Sequence, residues 1–380
     1  MIPYGRQSIS EEDIEAVVEV LRSDFLTQGP VVPRFEQAVA DYCNAQFGVA
    51  VNSGTAALHI ACLALGVGAG DWVWTSPISF VASANCALYC GAKVDFVDIE
   101  PDTGNMCAIE LAKKLYIAEK EGKLPKVVIP VHFAGLPCDM KAIHALGQQY
   151  GFSIIEDACH ALGARYYDEP TGNCRYSDIT VFSFHPVKII TTGEGGMAMT
   201  NDHKLAKTMR MLRNHGITRE TEDFINEPDG PWYYEQQMLG FNYRLTDIQA
   251  ALGLSQMARL EEFLAKRRTI ATCYQAELLG PRIEILANRT GRVSAWHLFV
   301  IKVPAARRKE IYNQLRLGGV GVNVHYITID TQPYHYRKRF HQNGCAKEFS
   351  LRVITIPIYP YLHIEQYKKC VNLINKISLP

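Results

Sequence analysis

The chain has 380 residues, 48% hydrophobic and 21% charged, ordinary globular usage that excludes a disordered or fibrous protein and leaves room for two or three domains. Lysine plus arginine and aspartate plus glutamate balance at 39 each, so no net field favours nucleic acid or an anionic membrane. A local basic cluster, Arg337-Lys338-Arg339, reads as a solvated face.

A first helix is signalled by Ser10 with Asp13 three residues later, a capping box leading into Ile14, Val17, Val18 and Leu21 at helical spacing. A second runs from about Pro33 to Cys43. Short apolar runs then alternate with amphipathic stretches: Phe47–Val51 and a helix from Thr55, Trp72–Thr75 and a helix from Ser79, Val94–Ile99 and a helix over Ala108–Ala118. The pattern continues with Val127–His132, a helix from Asp139 to Tyr150, Ser153–Glu156, Ile179–Phe184 and Met197–Thr200. Strand and helix alternating at this interval predict an α/β fold with a mostly parallel sheet between helices.

After Arg219–Gln237, a polar and aromatic loop, one long helix is expected over Thr246–Leu278. Beyond it come a strand at His297–Val303, a helix over Ala305–Leu317, a strand at Val320–Tyr326, an apolar run at Val353–Ile358 and a helix over His363–Lys376. This change of pattern divides the chain into a large domain, 1–247, and a smaller C-terminal α+β domain, 248–380, that includes the long connecting helix. The N-terminal helix is expected to reach the small domain.

Nothing at Met1–Ser8 has a secretory pattern, and no window approaches the roughly 18 uninterrupted apolar residues of a membrane helix, so a cytoplasmic location is expected. Eleven cysteines, an odd number set mostly in apolar surroundings, read as reduced core residues. Cys86 and Cys90 lie four apart, but no CxxC pair or matching histidine pair accompanies them, so no metal site is expected.

Four features fall at strand ends, where open α/β sheets gather ligands. Asn52-Ser53-Gly54-Thr55-Ala56-Ala57 is a small, hydroxyl-bearing turn opening a helix, suited to a phosphate or to simple N-capping. Glu156-Asp157 places two carboxylates at the end of an apolar strand, with His160 three residues on; a buried acid needs a cationic partner, and a protonated pyridine nitrogen is one. In Ser183–Gly196, Ser183 offers a second hydroxyl, and Lys188 follows a strand and precedes a glycine turn. Lys188 is either a strand-end lysine reaching solvent or an amine whose desolvation makes it a nucleophile for a carbonyl. Phe80, in Ser79–Ser83, is an aromatic at a helix start that either packs in the core or stacks on a planar ring. Together these parts describe a pyridoxal phosphate site.

The motifs Leu26–Pro30, Asn52–Leu58, Glu156–His160, Ser183–Lys188 with Gly193–Gly196, Leu212–Gly216 and Gly240–Leu245 resemble the DegT/DnrJ/EryC1/StrS sugar aminotransferases, of the fold-type I pyridoxal phosphate enzymes, over nearly the full length. That resemblance implies a large domain with a seven-stranded sheet. It implies Lys188 as the catalytic, cofactor-bearing lysine, Asp157 on the pyridine nitrogen, and His160 where many relatives carry glutamine beside the ring hydroxyl. Thr55, Ala56 and Ser183 would hold the phosphate and Phe80 would stack on the ring. Asn242 matches a residue that relatives reach across a homodimer interface to the neighbour's phosphate. Tyr4, Thr27, Gln28, His325 and Tyr326 are the candidates for the sugar-nucleotide pocket.

Ser76–Asn85, His160–Tyr166, Ser183-Phe184-His185 and Leu252–Gln256 are similar to the branch serving pseudaminic acid synthesis. That similarity implies transfer of an amino group from L-glutamate to C4 of UDP-2-acetamido-2,6-dideoxy-β-L-arabino-hexos-4-ulose, giving UDP-4-amino-4,6-dideoxy-N-acetyl-β-L-altrosamine. The alternatives are a C4 aminotransferase for a bacillosamine- or perosamine-type keto-sugar, or a non-catalytic regulatory protein that binds the cofactor. One departure follows His325-Tyr326-Ile327, where the chain reads Thr328-Ile329-Asp330 in place of a proline-containing stretch.

Overall fold

The computed structural model describes residues 1–278, 282–336 and 344–378, so the basic cluster Arg337-Lys338-Arg339 lies outside the described residues. Seven strands form the main sheet: β1 (Phe47–Val51), β2 (Trp72–Thr75), β3 (Lys93–Phe96), β4 (Val127–Ile129), β5 (Ser153–Asp157), β6 (Ile179–Ser183) and β7 (Gly196–Thr200). Their order is β1-β7-β6-β5-β4-β2-β3. The pairs from β6 to β3 are parallel, and β7 runs antiparallel to both β1 and β6.

Side-chain alternation distributes this sheet between two cores. Val73, Val94, Ile129, Ile155, Val181 and Ala198 pack on one face with helices α3 (Gly54–Ala64), α4 (Ala82–Tyr89) and α7 (His203–Arg213). Trp74, Val128, Ile154, Phe182 and Met199 join the opposite cores. There the cover comes from α2 (Val31–Cys43), α5 (Ala108–Glu121), α6 (Met140–Tyr150) and α8 (Asp247–Ala258). Strands buried on both sides read as continuous apolar runs, which is why they are visible in the sequence.

Helix α1 (Glu11–Leu21) starts where the capping box places it: the Ser10 N–H donates to Asp13 Oδ2 at 3.0 Å. Asp13 is fully buried and also accepts from Ser255 Oγ and Gln256 Nε2, both at 2.6 Å, and from Arg259. The cap is therefore also the tie between α1 and α8. The single long helix expected over Thr246–Leu278 is instead broken at Arg259, between α8 and α9 (Leu260–Glu277). At φ −109° and ψ 8°, Arg259 leaves helical geometry, and its guanidinium pairs with Asp13.

A second, three-stranded antiparallel sheet runs β8 (Glu284–Ile285), β9 (Phe299–Lys302), β10 (Val353–Ile356). Its core is shared with α9, α10 (Arg308–Leu317) and α11 (Ile364–Ser378), and Ile2 from the N-terminus packs into it. The expected strand Val320–Tyr326 does not form. Ile2 pairs with Val320 and Asn323 with Thr355 as single bridges, and the Gly321 N–H donates to the Ile2 carbonyl at 2.6 Å. From Asn323 onward the segment turns toward the cavity described below.

Arg267, buried on α9, ties together the segment that leads into β9 and the segment that follows β10, both in the small sheet. Its Nη1 donates to the carbonyls of Trp296 (3.1 Å), His297 (3.3 Å) and Ile358 (3.1 Å). Replacement by methionine leaves these carbonyls without the donor, at an expected cost of about 2–3 kcal/mol. Urea unfolding of Arg267→Met checks this, and a loss below about 0.5 kcal/mol would refute the clamp.

Candidate active site

The carboxyl ends of β1, β5 and β6 open onto a cavity of about 960 Å³. Alternation along β5 sends Glu156 and Asp157 to opposite faces. Glu156, 5% exposed, receives His132 Nε2 at 2.7 Å, Ser177 Oγ at 2.5 Å and Thr180 Oγ1 at 3.2 Å. Asp157, also 5% exposed, faces the cavity; its Oδ2 accepts from Ser83 Oγ at 2.6 Å and its Oδ1 from the Cys159 N–H at 3.2 Å.

Lys188 lies at the end of a turn whose N–H donates to the His185 carbonyl at 2.9 Å. Loss of solvation pushes its ammonium below the ordinary lysine value, against the opposing pull of Cys159 and Asp157. Among the described residues it is the only lysine or arginine lining the cavity. Four histidines line the same space: His160, His185, His297 and His325. His160 and His297 lie with ring centroids 4.4 Å apart, and burial first, then nearby positive charge, holds both well below the usual histidine value. His325 is brought down to about 3 by burial and by Lys188, and its Nδ1 lies 2.8 Å from Thr355 Oγ1. His160 Nε2 lies 3.2 Å from the Tyr326 hydroxyl, while Nδ1 of both His160 and His297 is buried with no protein partner.

The second wall is a cradle of small groups. Ser53 caps α3, its Oγ accepting the Ala56 N–H at 3.1 Å, and Thr55 and Ser183 line the opening. Gly196, the first residue of β7, sits against this turn, where a Cβ would come within 2.4 Å of the Ser53 carbonyl oxygen. A Cβ on Gly54 would approach Ser183 Cβ to 3.0 Å. Glycine at both positions lets three backbone segments converge where an anion meets a helix N-terminus.

The structure thus brings together Lys188, Asp157, His160, Thr55, Ser183, Phe80, Tyr4, His325 and Tyr326 around one cavity. Phe80 stands at its rim, 59% exposed, in a turn ahead of α4; the helix expected from Ser79 begins at Ala82. Ala56 is buried behind the cap. Thr27 pairs with Thr246, and Gln28 lines a separate cavity of about 580 Å³ with Arg210 and Arg244, so neither lines the main cavity. Asn242 is exposed, its carbonyl 3.5 Å from Asn52 Nδ2 at the cavity's edge. Sequence reasoning did not single out Ser83, Asn323, His297, Glu194 or Gln249, which also line the cavity. Gln249 had a signal: Thr246 and Gln249 form a capping box, and Gln249 Nε2 donates to the Glu194 carbonyl at 2.7 Å.

The model of the DegT/DnrJ/EryC1/StrS aminotransferase family matches residues 7–375. Spore coat polysaccharide biosynthesis protein SpsC of Bacillus subtilis is 35% identical over 387 residues, covering 99% of this chain and 97% of that protein. Among solved structures, Helicobacter pylori PseC, an aminotransferase involved in the biosynthesis of pseudaminic acid, superposes with a TM-score of 0.90 at 29% identity, covering 99% of this chain and 98% of that one. The sugar aminotransferase Spr1654 of Streptococcus pneumoniae, solved in its pyridoxamine phosphate form, gives 0.90 at 30% identity over 100% and 99% of the two chains.

The pair beneath the site sets a pH dependence. Burial disfavours charge on His132, but bonds to Cys138 and Glu156 win and push it up to about 10; burial likewise opposes charge on Glu156, and His132 brings that carboxyl down. A raised histidine contributes stability that is fully present below its unfolded value near 6.5 and lost as pH rises toward about 10. Urea unfolding at about pH 6 and about pH 9 should show wild type losing stability across that window. His132→Gln should be less stable at the lower pH and show a flatter decline; equal slopes for the two proteins would refute the pair.

Proposed function

Because the chain belongs to the DegT/DnrJ/EryC1/StrS aminotransferase family, with pyridoxal phosphate as its cofactor, we propose that it transfers an amino group from L-glutamate to a nucleotide-linked keto-sugar. The carrying observation is Lys188, among the described residues the one lysine or arginine lining the cavity, in one space with Asp157 and a neutral histidine pair. The chain's residues suit the cofactor on their own chemistry: a cradle of Ser53, Thr55 and Ser183 for the phosphate, a carboxylate for the ring nitrogen, and the unpartnered His160 Nδ1 for the ring hydroxyl.

Bound there, the cofactor supplies a pyridine ring that accepts the electron pair left when a C–H bond beside nitrogen breaks. Asp157 holds the ring nitrogen protonated. With Tyr326 as the donor to His160 Nε2, the His160 hydrogen would sit on Nδ1, available to the ring hydroxyl oxygen. Lys188, its charge disfavoured by desolvation, serves as the base that takes a proton from one carbon and returns it to another. Phe80, at the rim, would cover one face of the ring. In this reading residues 1–247 form the cofactor-binding domain, 248–380 form the smaller domain with the connecting helix, and Asn242 completes the phosphate site of a second copy in a homodimer.

For the acceptor we infer UDP-2-acetamido-2,6-dideoxy-β-L-arabino-hexos-4-ulose, aminated at C4 for pseudaminic acid synthesis, with Tyr4, His325 and Tyr326 facing the sugar. Likeness to PseC supports this. The SpsC relative, in spore coat polysaccharide synthesis, favours as second reading a C4 aminotransferase for another 4-keto-6-deoxy sugar.

Wild type should retain a borohydride-trapped cofactor adduct by mass spectrometry, and Lys188→Ala should retain none; equal adduct in both proteins would sink the assignment. With glutamate and a panel of UDP- and dTDP-linked 4-keto-6-deoxy sugars, turnover should be fastest on the UDP-linked L-arabino acceptor. A faster dTDP sugar would move the protein to the second reading.

A further inference from the structure

The turn before α4 carries two buried hydroxyls, and both lie on the path to Asp157. Ser83 is 1% and Ser79 4% exposed. Ser83 Oγ donates to Asp157 Oδ2 at 2.6 Å, and Ser79 Oγ lies 2.6 Å from Ser83 Oγ. A hydroxyl has one hydrogen, so with that of Ser83 committed to the carboxylate, Ser79 is the donor to Ser83. The result is a one-way chain, Ser79 to Ser83 to Asp157, ending on a charge, where each bond polarises the next. The Cys159 N–H occupies the other oxygen at 3.2 Å. Each Asp157 oxygen therefore has one protein donor, and the carboxylate's orientation is fixed.

The same turn holds Phe80 at the rim. Ser79 and Ser83 clamp it from either side, and the Ser83 N–H donates to the Phe80 carbonyl at 3.3 Å. Isolated serines four apart at a helix start are ordinary capping chemistry, but here neither hydroxyl caps α4, which has no side-chain cap.

We propose that Ser83, relayed by Ser79, is a positioning residue for the cofactor: it aims the free lone pairs of Asp157 at the ring nitrogen and joins that anchor to the turn that carries Phe80. This rests on the assignment of Asp157 to the ring nitrogen. Ser83→Ala frees one carboxylate oxygen to rotate and unclamps the Phe80 turn together.

The test uses full-length protein stripped of cofactor and titrated with pyridoxal phosphate. It measures the dissociation constant and the pH midpoint of the bound chromophore's absorbance. Ser83→Ala should bind at least about tenfold more weakly, the loss of one hydrogen bond to a charged group, and shift the midpoint in the same direction as Asp157→Asn. Ser83→Thr, which keeps the hydroxyl, should return both readouts toward wild type. Ser79→Ala should move them the same way by about threefold, since it weakens the relay without cutting its last bond.

Wild-type values for Ser83→Ala, with Asp157→Asn altered, overturn the relay and leave the Asp157 assignment intact. Wild-type values for Asp157→Asn remove that assignment, and the relay with it. Should Ser83→Ala fail to fold, Ser79→Ala decides, and its matching wild type in both readouts overturns the relay. A weaker binder with an unmoved midpoint also overturns it, because that is what a merely structural hydroxyl would give.

Discussion

The two-residue period of one strand governs this molecule. At the end of β5, Glu156 and Asp157 are neighbours in sequence and point to opposite faces of the sheet. Two adjacent buried carboxylates on one face would repel and stay unpaired at a cost of several kcal/mol. Alternation separates them: Glu156 is compensated beneath the sheet by His132, Ser177 and Thr180, and Asp157 stands above it with only Ser83 and a backbone N–H. The compensated acid anchors the strand end, and the other retains free lone pairs for a ligand.

The electrostatics of the cavity follow from the same scarcity of partners. Burial keeps His160, His297 and His325 neutral, and Lys188 loses part of its preference for charge for the same reason. An imidazolium beside Lys188 would add a second positive charge to a desolvated space, so the fold places phenols, hydroxyls and amides around the rings instead. Tyr326 is held as a phenol by burial first, then by the Asp157 charge. The cavity can thus offer hydrogen-bond donors to a planar ring without presenting a second fixed cation to compete for Asp157.

Most of the sheet was legible in sequence because strands covered on both faces leave uninterrupted apolar runs; β1 and β2 have the bounds the sequence implies. The residues around Lys188 were legible for a different reason, as glycines and hydroxyls at strand ends have few purely structural uses. What sequence did not show depends on contacts made over long separations. Arg259 interrupts the expected helix because Asp13, 246 residues away, receives its guanidinium. Val320–Tyr326 has strand-like composition, yet the N-terminal residue Ile2 takes its pairing partner's place. Ser83 looked like part of a helix start because its partner, Asp157, is 74 residues distant.

The unusual stretch Thr328-Ile329-Asp330 can be placed by the same reasoning. Ile329 is fully buried, belongs to the core above the parallel strands, and its N–H donates to the Pro77 carbonyl at 3.0 Å. Pro77 opens the turn that carries Ser79, Phe80 and Ser83, so the segment is fastened to that turn and not to the Ser53–Thr55 turn. Its neighbours Val324, His325 and Tyr326 line the same cavity as Phe80. A change in this segment therefore bears on the turn that carries Phe80 and on the His325–Tyr326 lining, while the carboxylate, lysine and cradle remain set by the sheet.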